Sequence, residues 1–478
     1  MFTLFKPTPV EPYLTLGFRG RYPWYIFPVR LRGEELARHK HVVGLSGYGK
    51  SKFLVHVASF LIMQGVPVSF IDPHGDSVRE LIGVLASRGY FNIPGNFEKF
   101  MYVDFGRDDL FVPFNVLSQR GFDAKTSARN LSTAITRAYP ELGITFKTIF
   151  LNVAYILSVN NLPFTLAIDV LNDKGFREKL LENVTDELTL KFFRSEVDSW
   201  DTRTAEEYFG STKRRLYDIF SMPQLYYSLG QQDNSLDFNK ILNSGISVVY
   251  NLAGVHNDIR ALIGCFIAVG YEQAIFFRAK IAQSARIPHH LLIDEAPLFI
   301  DKSKDTMMSL LSESRKYAIT QWLAHQYYSQ LEDSFLDSLT NAQPIIFGVN
   351  HKDALRASYQ LANYDPYAVK HTITDEELRE RSTQFFSPNE QFEMMAHEIS
   401  NLHPRMAFTK VKRKLPFHPA SWQSVMFRTP DVHISCPREE IDRICDYYAK
   451  LLLKPGETSL TDVPPSLSAP AIKRFGKK

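Results

Sequence analysis

The chain has 478 residues, of which 45% are hydrophobic and 22% are charged, enough for two or more domains with a sizeable core. Its net charge of +3 excludes nucleic-acid binding through bulk charge, so any such surface must come from local clusters of Lys and Arg. The three cysteines, Cys265, Cys436 and Cys445, have none of the paired spacings that bind zinc. We therefore expect a reducing compartment and no structural disulfides.

The first elements predicted along the chain are β-strands. Residues 1–38 are expected to form a small β element, because the run 13–31 alternates aromatic and polar residues. Apolar, β-rich runs that end in Gly, Asp or Asn follow at 41–45, 67–72, 100–105, 245–253, 289–296, 318–326 and 343–350. Near-continuous apolar strands that alternate with helix-period segments predict an α/β fold with a mainly parallel sheet covered on both faces.

The middle of the chain follows a different pattern. From Ser118 to Lys240 the periodicity is helical throughout, which predicts an all-helical insertion (118–240) between two parts of an α/β core (39–117 and 241–375). We predict a C-terminal α/β segment at 376–454. Residues 455–478 are rich in Pro and Ser and end in basic residues, and we expect a disordered basic tail.

The stretch "VVGLSGYGKSKF" contains the phosphate-binding pattern G-x-x-x-x-G-K-[ST], in which backbone N–H groups, a lysine and a hydroxyl hold phosphates and Mg²⁺. It leaves a strand pattern and opens a helix, whose first N–H groups attract anions. The alternative is a Gly-rich turn that merely caps a core helix. The candidate nucleotide-binding residues are Gly44, Gly47, Tyr48, Gly49, Lys50, Ser51 and Lys52.

A phosphate-binding loop of this kind needs a carboxylate for Mg²⁺ and, in a hydrolase, a base for water. In "HHLLIDEAPLF", Asp294 and Glu295 end an apolar strand that we expect to lie beside the strand of the phosphate-binding loop. Asp294 would hold Mg²⁺ together with Ser51, and Glu295 would polarise water. The alternative is a strand-to-helix turn in which Glu295 is a solvated first-turn acid.

Two downstream residues are candidates for catalytic roles. Gln326 ends the next apolar strand, from which an amide can orient water at a γ-phosphate. Arg315 ends the preceding helix, where it could stabilise charge on a phosphoryl group of a neighbouring subunit. It could equally be a helix C-terminal cation that interacts with the helix dipole.

The segment "FIDPHGDSVRELI" predicts a strand, a turn and a helix. Asp72 ends the strand, and Asp76 with Glu80 is expected to begin the helix as an N-cap and a first-turn acid. We interpret His74 as a turn residue rather than a metal ligand, since no second His or Cys is suitably placed.

The most apolar windows do not predict a membrane span. The runs 53–71 and 261–277 are both interrupted by polar residues, and no signal peptide is visible. We therefore expect a cytoplasmic protein that reaches the inner face of a membrane only through partners.

Four motifs together resemble one family. "GLSGYGKS", "FIDPHGD", "LLIDEA" and "SRKYAITQWLAHQYYSQL", in this order, are similar to the HerA/FtsK superfamily of DNA-translocating ATPases, and most to the HerA-type and conjugative type IV secretion ATPases. The resemblance runs from about His39 to Ala362 and includes "FVPFNVL" (111–117). Tyr48 and Leu45 replace the small residue and proline common in such loops, a change that we expect to be harmless.

The resemblance implies a RecA-like core assembled as a homo-hexamer around a DNA channel, with ATP and Mg²⁺ at the subunit interfaces. It implies the nucleotide roles for Lys50 and Ser51, the sensor role for Gln326 and a trans-acting role for Arg315. Coupling proteins of this kind usually carry N-terminal membrane helices, which we do not find here, so membrane-embedded secretion partners or nuclease partners would recruit the protein.

A DNA motor also needs basic groups that face its channel and hold phosphates independently of sequence. The candidates are the loop with Lys302 and Lys304 and the segment around Arg79 and Arg88; the alternative is that these are exposed cations on a solvated face.

Two other functions share the same nucleotide site: a secretion-apparatus assembly ATPase that acts on protein, and a defence-system ATPase that scaffolds an effector.

Overall fold

The computed structural model describes residues 12–21, 24–118, 122–139, 141–375, 380–413 and 421–456. The predicted tail lies outside the described residues from residue 457 onward. The strands are β1 (Tyr13–Arg21), β2 (Trp24–Arg32), β3 (Lys40–Val43), β4 (Val68–Asp72), β5 (Phe100–Asp104), β6 (Leu110–Phe111), β7 (Ser247–Asn251), β8 (His289–Ile293), β9 (Ile319–His325), β10 (Gln343–Ile346), β11 (Val369–Asp375), β12 (Glu380–Phe385), β13 (Met406–Arg413), β14 (Ser421–Arg428) and β15 (Lys454–Pro455).

The α-helices lie between these strands, singly or in groups. They are α1 (Gly33–Ala37), α2 (Lys50–Met63), α3 (Asp76–Ser87), α4 (Ala124–Ala138), α5 (Ile144–Val159), α6 (Ala167–Asn172), α7 (Lys174–Leu181), α8 (Glu187–Lys191), α9 (Thr202–Phe220), α10 (Pro223–Leu229), α11 (Phe238–Asn243), α12 (Asn257–Phe277), α13 (Pro297–Glu313), α14 (Asp333–Ser338), α15 (His351–Leu361), α16 (Pro388–Ser400) and α17 (Arg438–Leu452).

One large sheet organises the chain. Its strand order is β2-β1-β14-β13-β10-β3-β9-β8-β4-β7-β5, and the run from β10 to β5 is parallel throughout. Each of the seven predicted apolar runs overlaps one of these parallel strands, so the predicted α/β fold with a mainly parallel sheet is confirmed. The remaining strands β13, β14, β1 and β2 extend the same sheet in antiparallel fashion.

Helices cover both faces of the parallel strands, which explains why the strands read as continuous apolar runs. Every residue of β3, β4, β7, β8, β9 and β10 is buried, whereas the edge strand β5 is only partly buried. Successive residues point to opposite faces: Val42 joins the core formed by α2, α3 and α17, and Val43 joins the core formed by α4, α12 and α13.

Between β6 and β7 the described residues form helices α4–α11 and no regular strand. These helices pack their apolar faces into the same core as α12 and α13. The all-helical character predicted for the middle of the chain is confirmed. At the C-terminal end, Lys454–Pro455 pair with β6, so the predicted tail does not begin at residue 455.

One helix among the described residues, Asn257–Lys280, is long and apolar enough to cross a membrane by length and composition, with a mean hydropathy of 1.4. Within the fold, 78% of the most apolar stretch of this helix is buried, against the sheet and helices α4 and α13. Its hydrophobicity is therefore explained by its place in the core. The free cysteine Cys265 lies on this helix and is buried.

The packing of α12 gives a paired test of the fold. A Cβ at Gly270 would lie 2.3 Å from the ring of Phe238, whereas a Cβ at Gly210 in α9 meets only Arg214 Nη1, at 3.6 Å. We predict that Gly270→Ala lowers the free energy of unfolding by about 1–3 kcal/mol through overpacking. Gly210→Ala should raise it by up to about 1 kcal/mol through helix propensity. Thermal melts that shift in the same direction for both variants would contradict this packing.

Candidate nucleotide site

The loop between β3 and α2 has the shape of a phosphate cradle. Gly47 and Gly49 have φ angles of +82° and +94°, which only glycine adopts at low cost. The Leu45 N–H donates to the carbonyl oxygen of Gly348 (2.9 Å), and the Gly44 N–H donates to that of His325 (3.3 Å). The loop is thereby tied to the ends of β10 and β9, the two neighbours of β3 in the sheet.

Lys50, the first residue of α2, is buried inside this loop. Its ammonium group donates to the carbonyl oxygens of Gly44 (2.6 Å) and Leu45 (3.2 Å). Burial lowers the pKa of Lys50, and the nearby carboxylates of Glu295 and Asp294 oppose that shift. The Lys50 ammonium group is thus a buried cation at the start of α2, held by backbone carbonyl oxygens and with two acids nearby.

Asp294 follows β8, and it lines the same cleft as Ser51, whose hydroxyl is near enough to affect the Asp294 pKa. Burial raises the pKa of Asp294 to about 6; Asp72 and Glu295 also raise it, whereas the Ser51 hydroxyl and Lys50 oppose the shift. A hydroxyl and a carboxylate are the oxygen ligands that Mg²⁺ takes from a protein when phosphates supply the others, so the residues present fit this ion. The described residues contain no group of three or more His, Cys, Asp or Glu arranged to hold a metal by themselves.

Glu295 is held in an unusual conformation next to this pair. Its φ of +47° lies in the left-handed region, which is sparsely populated by residues with a side chain. The Gln326 amide Nε2 donates to Glu295 Oε1 at 2.7 Å. The structure therefore brings the two predicted catalytic side chains into contact, although 30 residues separate them in sequence.

The order of the strands corrects one prediction. β8, which leads to Asp294, is not next to β3; β9 lies between them, paired in parallel with both. The sequence could not decide this, because apolar runs do not reveal which of their neighbours they pair with. The consequence is that Gln326, at the end of β9, lies between the phosphate loop and Glu295.

The turn after β4 forms the next part of the site. Asp72 is buried, and its carboxylate accepts hydrogen bonds from the backbone N–H groups of His74 (2.9 Å), Ser77 (2.8 Å) and Val78 (3.2 Å). The predicted N-cap Asp76 is instead the first residue of α3, with Gly75 preceding it in a left-handed conformation. Asp72 caps the helix instead, because the turn brings the first N–H groups of α3 next to Asp72 at the end of β4.

A cleft of about 580 Å³ opens beside Ser51 and Asp294. It is also lined by Lys52, His74, Asp76 and Glu80, with Ile434 from the C-terminal segment. Lys52 Nζ lies 2.5 Å from Glu80 Oε1, so this member of the predicted nucleotide site is paired on the cleft wall.

Arg315 lies far from its own chain's site. It sits in a short turn before β9, at the amino ends of the parallel strands, where its Nη2 lies 3.5 Å from Glu34 Oε1. β9 has seven residues, so roughly 20 Å separates Arg315 from Gln326 along the strand. Arg315 therefore cannot reach the phosphates that its own chain would hold, and any catalytic role must be played in a second copy.

Two of the candidate DNA-binding residues, Lys302 and Lys304, lie on a helix. The loop predicted to hold Lys302 and Lys304 belongs to α13, which starts at Pro297 and kinks at Ser303. The loop prediction is wrong because α13 buries an apolar face, including Phe299, against the core. The side chain of Lys302 lies outside the described residues, and Lys304 pairs with Glu332.

The other two basic candidates are on the opposite face of the sheet. Arg79 lies on α3 and is paired with Asp442 of α17, and Arg88 Nη1 donates to Ser59 Oγ at 3.3 Å. Because α3 and α13 belong to different cores, the structure does not bring Lys304 together with Arg79 and Arg88. The two pairs do not form one basic surface within a chain.

Two contacts to the phosphate loop were not predicted from the sequence. The Tyr48 ring packs against the backbone of Gly348, and the N–H of Arg405 donates to the carbonyl oxygen of Tyr48 (2.9 Å). Arg405 lies in a short turn before β13 in a left-handed conformation, with a φ of +72°. Nothing local in "NLHPRMAF" (401–408) signals this contact, which depends on β13 pairing with β10.

In one parallel sheet, β3 leads into the phosphate loop, β9 ends before Gln326, and β8 ends before Asp294 and Glu295; this is the arrangement of a RecA-like α/β core. Solved structures with this fold include the unbound bacterial conjugative coupling protein TrwBΔN70, which aligns with 86% of this chain and 89% of its own at 14% identity and a TM-score of 0.54. The plasmid coupling protein TrwB in complex with ADP and Mg²⁺ aligns with 84% of this chain and 88% of its own at 15% identity and a TM-score of 0.52.

VirB4 of Thermoanaerobacter pseudethanolicus aligns with 87% of this chain and 95% of its own at 12% identity and a TM-score of 0.48. No family profile and no curated protein sequence matches the chain. At these identities the likeness to TrwB establishes the fold, and the resemblance expected from the four motifs is confirmed at that level.

The contact between Tyr48 and Gly348 predicts a coupled pair of mutations. A Cβ at Gly348 would lie 2.1 Å from Tyr48 Cε1, so Gly348→Ala should lower the free energy of unfolding by about 1–3 kcal/mol. In a Tyr48→Ala background the ring is absent, and the same substitution should cost less than about 0.5 kcal/mol. Denaturation of the four proteins of this cycle measures the coupling. Equal costs in both backgrounds would show that the ring does not press on the loop.

Proposed function

We propose that the chain is a Mg²⁺-dependent ATPase that works as a ring motor and moves DNA through a central pore, in conjugative DNA transfer, secretion or DNA processing. The observation that supports this most is the hydrogen bond from Gln326 to Glu295 beside the Ser51–Asp294 pair. A core helix with a Gly-rich cap has no need for these contacts among four polar side chains. A P-loop ATPase needs a hydroxyl and a carboxylate for Mg²⁺ and groups that position water, and these four side chains can supply them.

Each residue of the site has a separate role in the proposed hydrolysis of ATP. Lys50 places positive charge on the β/γ-phosphates, and Ser51 and Asp294 would hold Mg²⁺, which neutralises phosphate charge when bound. Glu295 accepts the proton of the attacking water. Gln326 donates to one oxygen of that carboxylate, which fixes its orientation and leaves the other oxygen for water.

The left-handed backbone of Glu295 supports its role as the base. A side chain is held in this region only when the surroundings enforce it, and such strain is concentrated at functional sites. Here the Ala296 N–H is bonded to the carbonyl oxygen of Ala324 (2.8 Å), which locks the turn against β9. The backbone pairing with β9 therefore places the Glu295 carboxylate next to Gln326, at the end of that strand.

The place of Arg315 supports an assembly in which each site is completed by a neighbour. A head-to-tail contact would bring the amino edge of one sheet, with Arg315, to the nucleotide edge of the next, and such contacts close into rings. We propose a homo-hexamer in the cytoplasm, with membrane or nuclease partners that recruit it. In the single chain Arg315 is paired with the exposed Glu34, an interaction weak enough to be exchanged.

A comparison of single- and double-stranded DNA as activators of ATP hydrolysis tests the proposed motor. We expect DNA of one or both kinds to raise turnover at moderate salt, with no dependence on sequence and a loss of stimulation as salt rises. Lys50→Ala should bind ATP weakly and not hydrolyse it. Glu295→Gln should bind ATP but not turn it over.

The outcomes of that experiment separate the alternatives. Hydrolysis that neither DNA stimulates at any salt would contradict a DNA motor and favour an assembly ATPase that acts on protein. Normal hydrolysis by the Glu295→Gln protein would show that the base is a different residue, whatever the effect of DNA.

The trans role of Arg315 predicts a loss of rate without a loss of binding. Arg315→Ala should lower turnover by about 10³-fold or more, the scale of an arginine finger, while ATP binding and ring mass stay unchanged. Lys316→Ala is the matched control, because Lys316 is adjacent, exposed and paired only with Glu313 among the described residues. It should turn over ATP at the normal rate.

Mixed rings make the test sharper. Arg315→Ala subunits combined with Lys50→Ala subunits should regain activity, because one type of interface then pairs an intact P-loop with an intact arginine. Mixed rings, verified by mass, that remain as inactive as both parents would count against the trans role. A monomeric mass under every nucleotide and DNA condition would contradict the ring itself.

A further inference from the structure

Arg405 has a place in the fold that a structural role alone does not explain. It lies against the phosphate loop, where its Cγ would be 3.2 Å from a Cβ built on Gly49. Its backbone is tied on both sides: its N–H donates to Tyr48, and its carbonyl oxygen accepts from the Thr429 N–H, both at 2.9 Å. These bonds fix the Arg405 backbone next to the paired ends of β13 and β14 in the large sheet.

The conformation of Arg405 favours glycine, yet the residue is an arginine. Its φ of +72° is in the left-handed region, where glycine is unstrained and a long side chain is rare. Among the described residues, the non-glycine positions with positive φ are Asn161, Glu295, Ala318 and Arg405. Two of these four are charged: Glu295, the proposed catalytic base, and Arg405, which contacts the phosphate loop. An outlier of this kind points to a functional demand on the side chain.

The guanidinium group of Arg405 is held in a position from which it can be released. It contacts the carboxylate of Asp431, and its Nη2 donates to the carbonyl oxygen of Thr429 at 3.0 Å. Asp431 is mostly exposed, and ion pairs with an exposed partner are weak. Burial lowers the pKa of Arg405, and the neighbouring Arg428 adds repulsion. A ligand with more negative charge than one carboxylate would therefore compete well for this group.

We propose that Arg405 is a nucleotide-binding residue whose guanidinium group leaves Asp431 and contacts the α- and β-phosphates held at the start of α2. The proposal rests on the proposed ATPase function and adds a cation from the C-terminal segment to its site. The α- and β-phosphates are the ones that the backbone N–H groups of a P-loop hold, whereas the loop lysine reaches the β- and γ-phosphates. Since Arg405 lies against Gly49 at the helix start, rotation about the remaining bonds of its side chain sweeps the guanidinium across that position. A planar guanidinium suits bidentate contact with phosphate oxygens.

Arg405→Gly is the informative variant, because it removes the side chain and keeps the backbone conformation that the turn requires. We expect it to weaken the binding of ADP and of a non-hydrolysable ATP analogue alike, by about 10- to 100-fold, the range for a lost charge-assisted hydrogen bond. The apparent Tm should stay the same or rise, because glycine removes the strain. Titration calorimetry of the full chain in the presence of Mg²⁺ measures both affinities.

Two further variants separate the phosphate contact from the ion pair. Asp431→Asn keeps the shape of its partner but releases the guanidinium, so it should bind ADP more tightly than the unmodified chain. Arg443→Ala is the control, since Arg443 is exposed and bonds within its own helix to the carbonyl oxygen of Glu439. It should bind ADP normally. A purely structural role for the ion pair predicts instead that Asp431→Asn lowers the Tm and does not tighten binding.

The Lys50→Ala protein distinguishes failure of this inference from failure of the proposed function. If Arg405→Gly binds ADP as tightly as the unmodified chain while Lys50→Ala binds it weakly, the nucleotide site stands and the role of Arg405 is wrong. If Lys50→Ala also binds ADP normally, or the unmodified chain does not bind it, the P-loop assignment fails and both proposals fall with it.

Discussion

The parallel hydrogen bonding of β3, β9 and β8 is the constraint on which the candidate site depends. In a parallel sheet all strands end at the same edge, so residues that follow different strands meet there without any contact along the sequence. Val43 pairs with His325, and Ile293 pairs with Leu323, which sets the relative heights of the three strand ends. A slip of one strand by a single residue would send its alternating side chains to the wrong core and separate Gln326 from Glu295. Because both faces of these strands are packed, each exchanged side chain would meet a core shaped for a different one.

The sequence contains enough to predict the strands and the groups at their ends, but not their order. Continuous apolar runs, each closed by a polar residue, mark β4, β8 and β9, because buried parallel strands have no solvent-facing side. Pairing depends on the length and packing of the helices between strands, which periodicity does not encode. The sequence therefore does not reveal that β9 lies between β3 and β8, or that the two lysines near the start of α13 lie on a helix.

The support of the phosphate loop shows a second limit of sequence reasoning. The residues of the loop motif are close together in sequence, and its glycines predict the left-handed conformations at Gly47 and Gly49. The residues that brace it, Gly348 and Arg405, are 300 and 357 positions after Tyr48 and belong to no motif. They reach the loop only because β10 and β13 pair beside β3, so they are visible once the sheet order is known.

The charges around the site explain why a second subunit would matter. Asp72, Asp294 and Glu295 place three acids near the end of the sheet, while Lys50 is the cation in their midst and Arg405 is held aside by Asp431. ATP would add further negative charge, and with Arg405 proposed at the α- and β-phosphates, Mg²⁺ and Lys50 are the positive charges left for the transition state, in which charge spreads over the transferred group. Arg315 cannot supply it within the chain, because the length of β9 keeps it at the opposite edge of the sheet. A site that is electrostatically incomplete in one chain and completed by the next would make hydrolysis depend on assembly, which is the coupling that a ring motor requires.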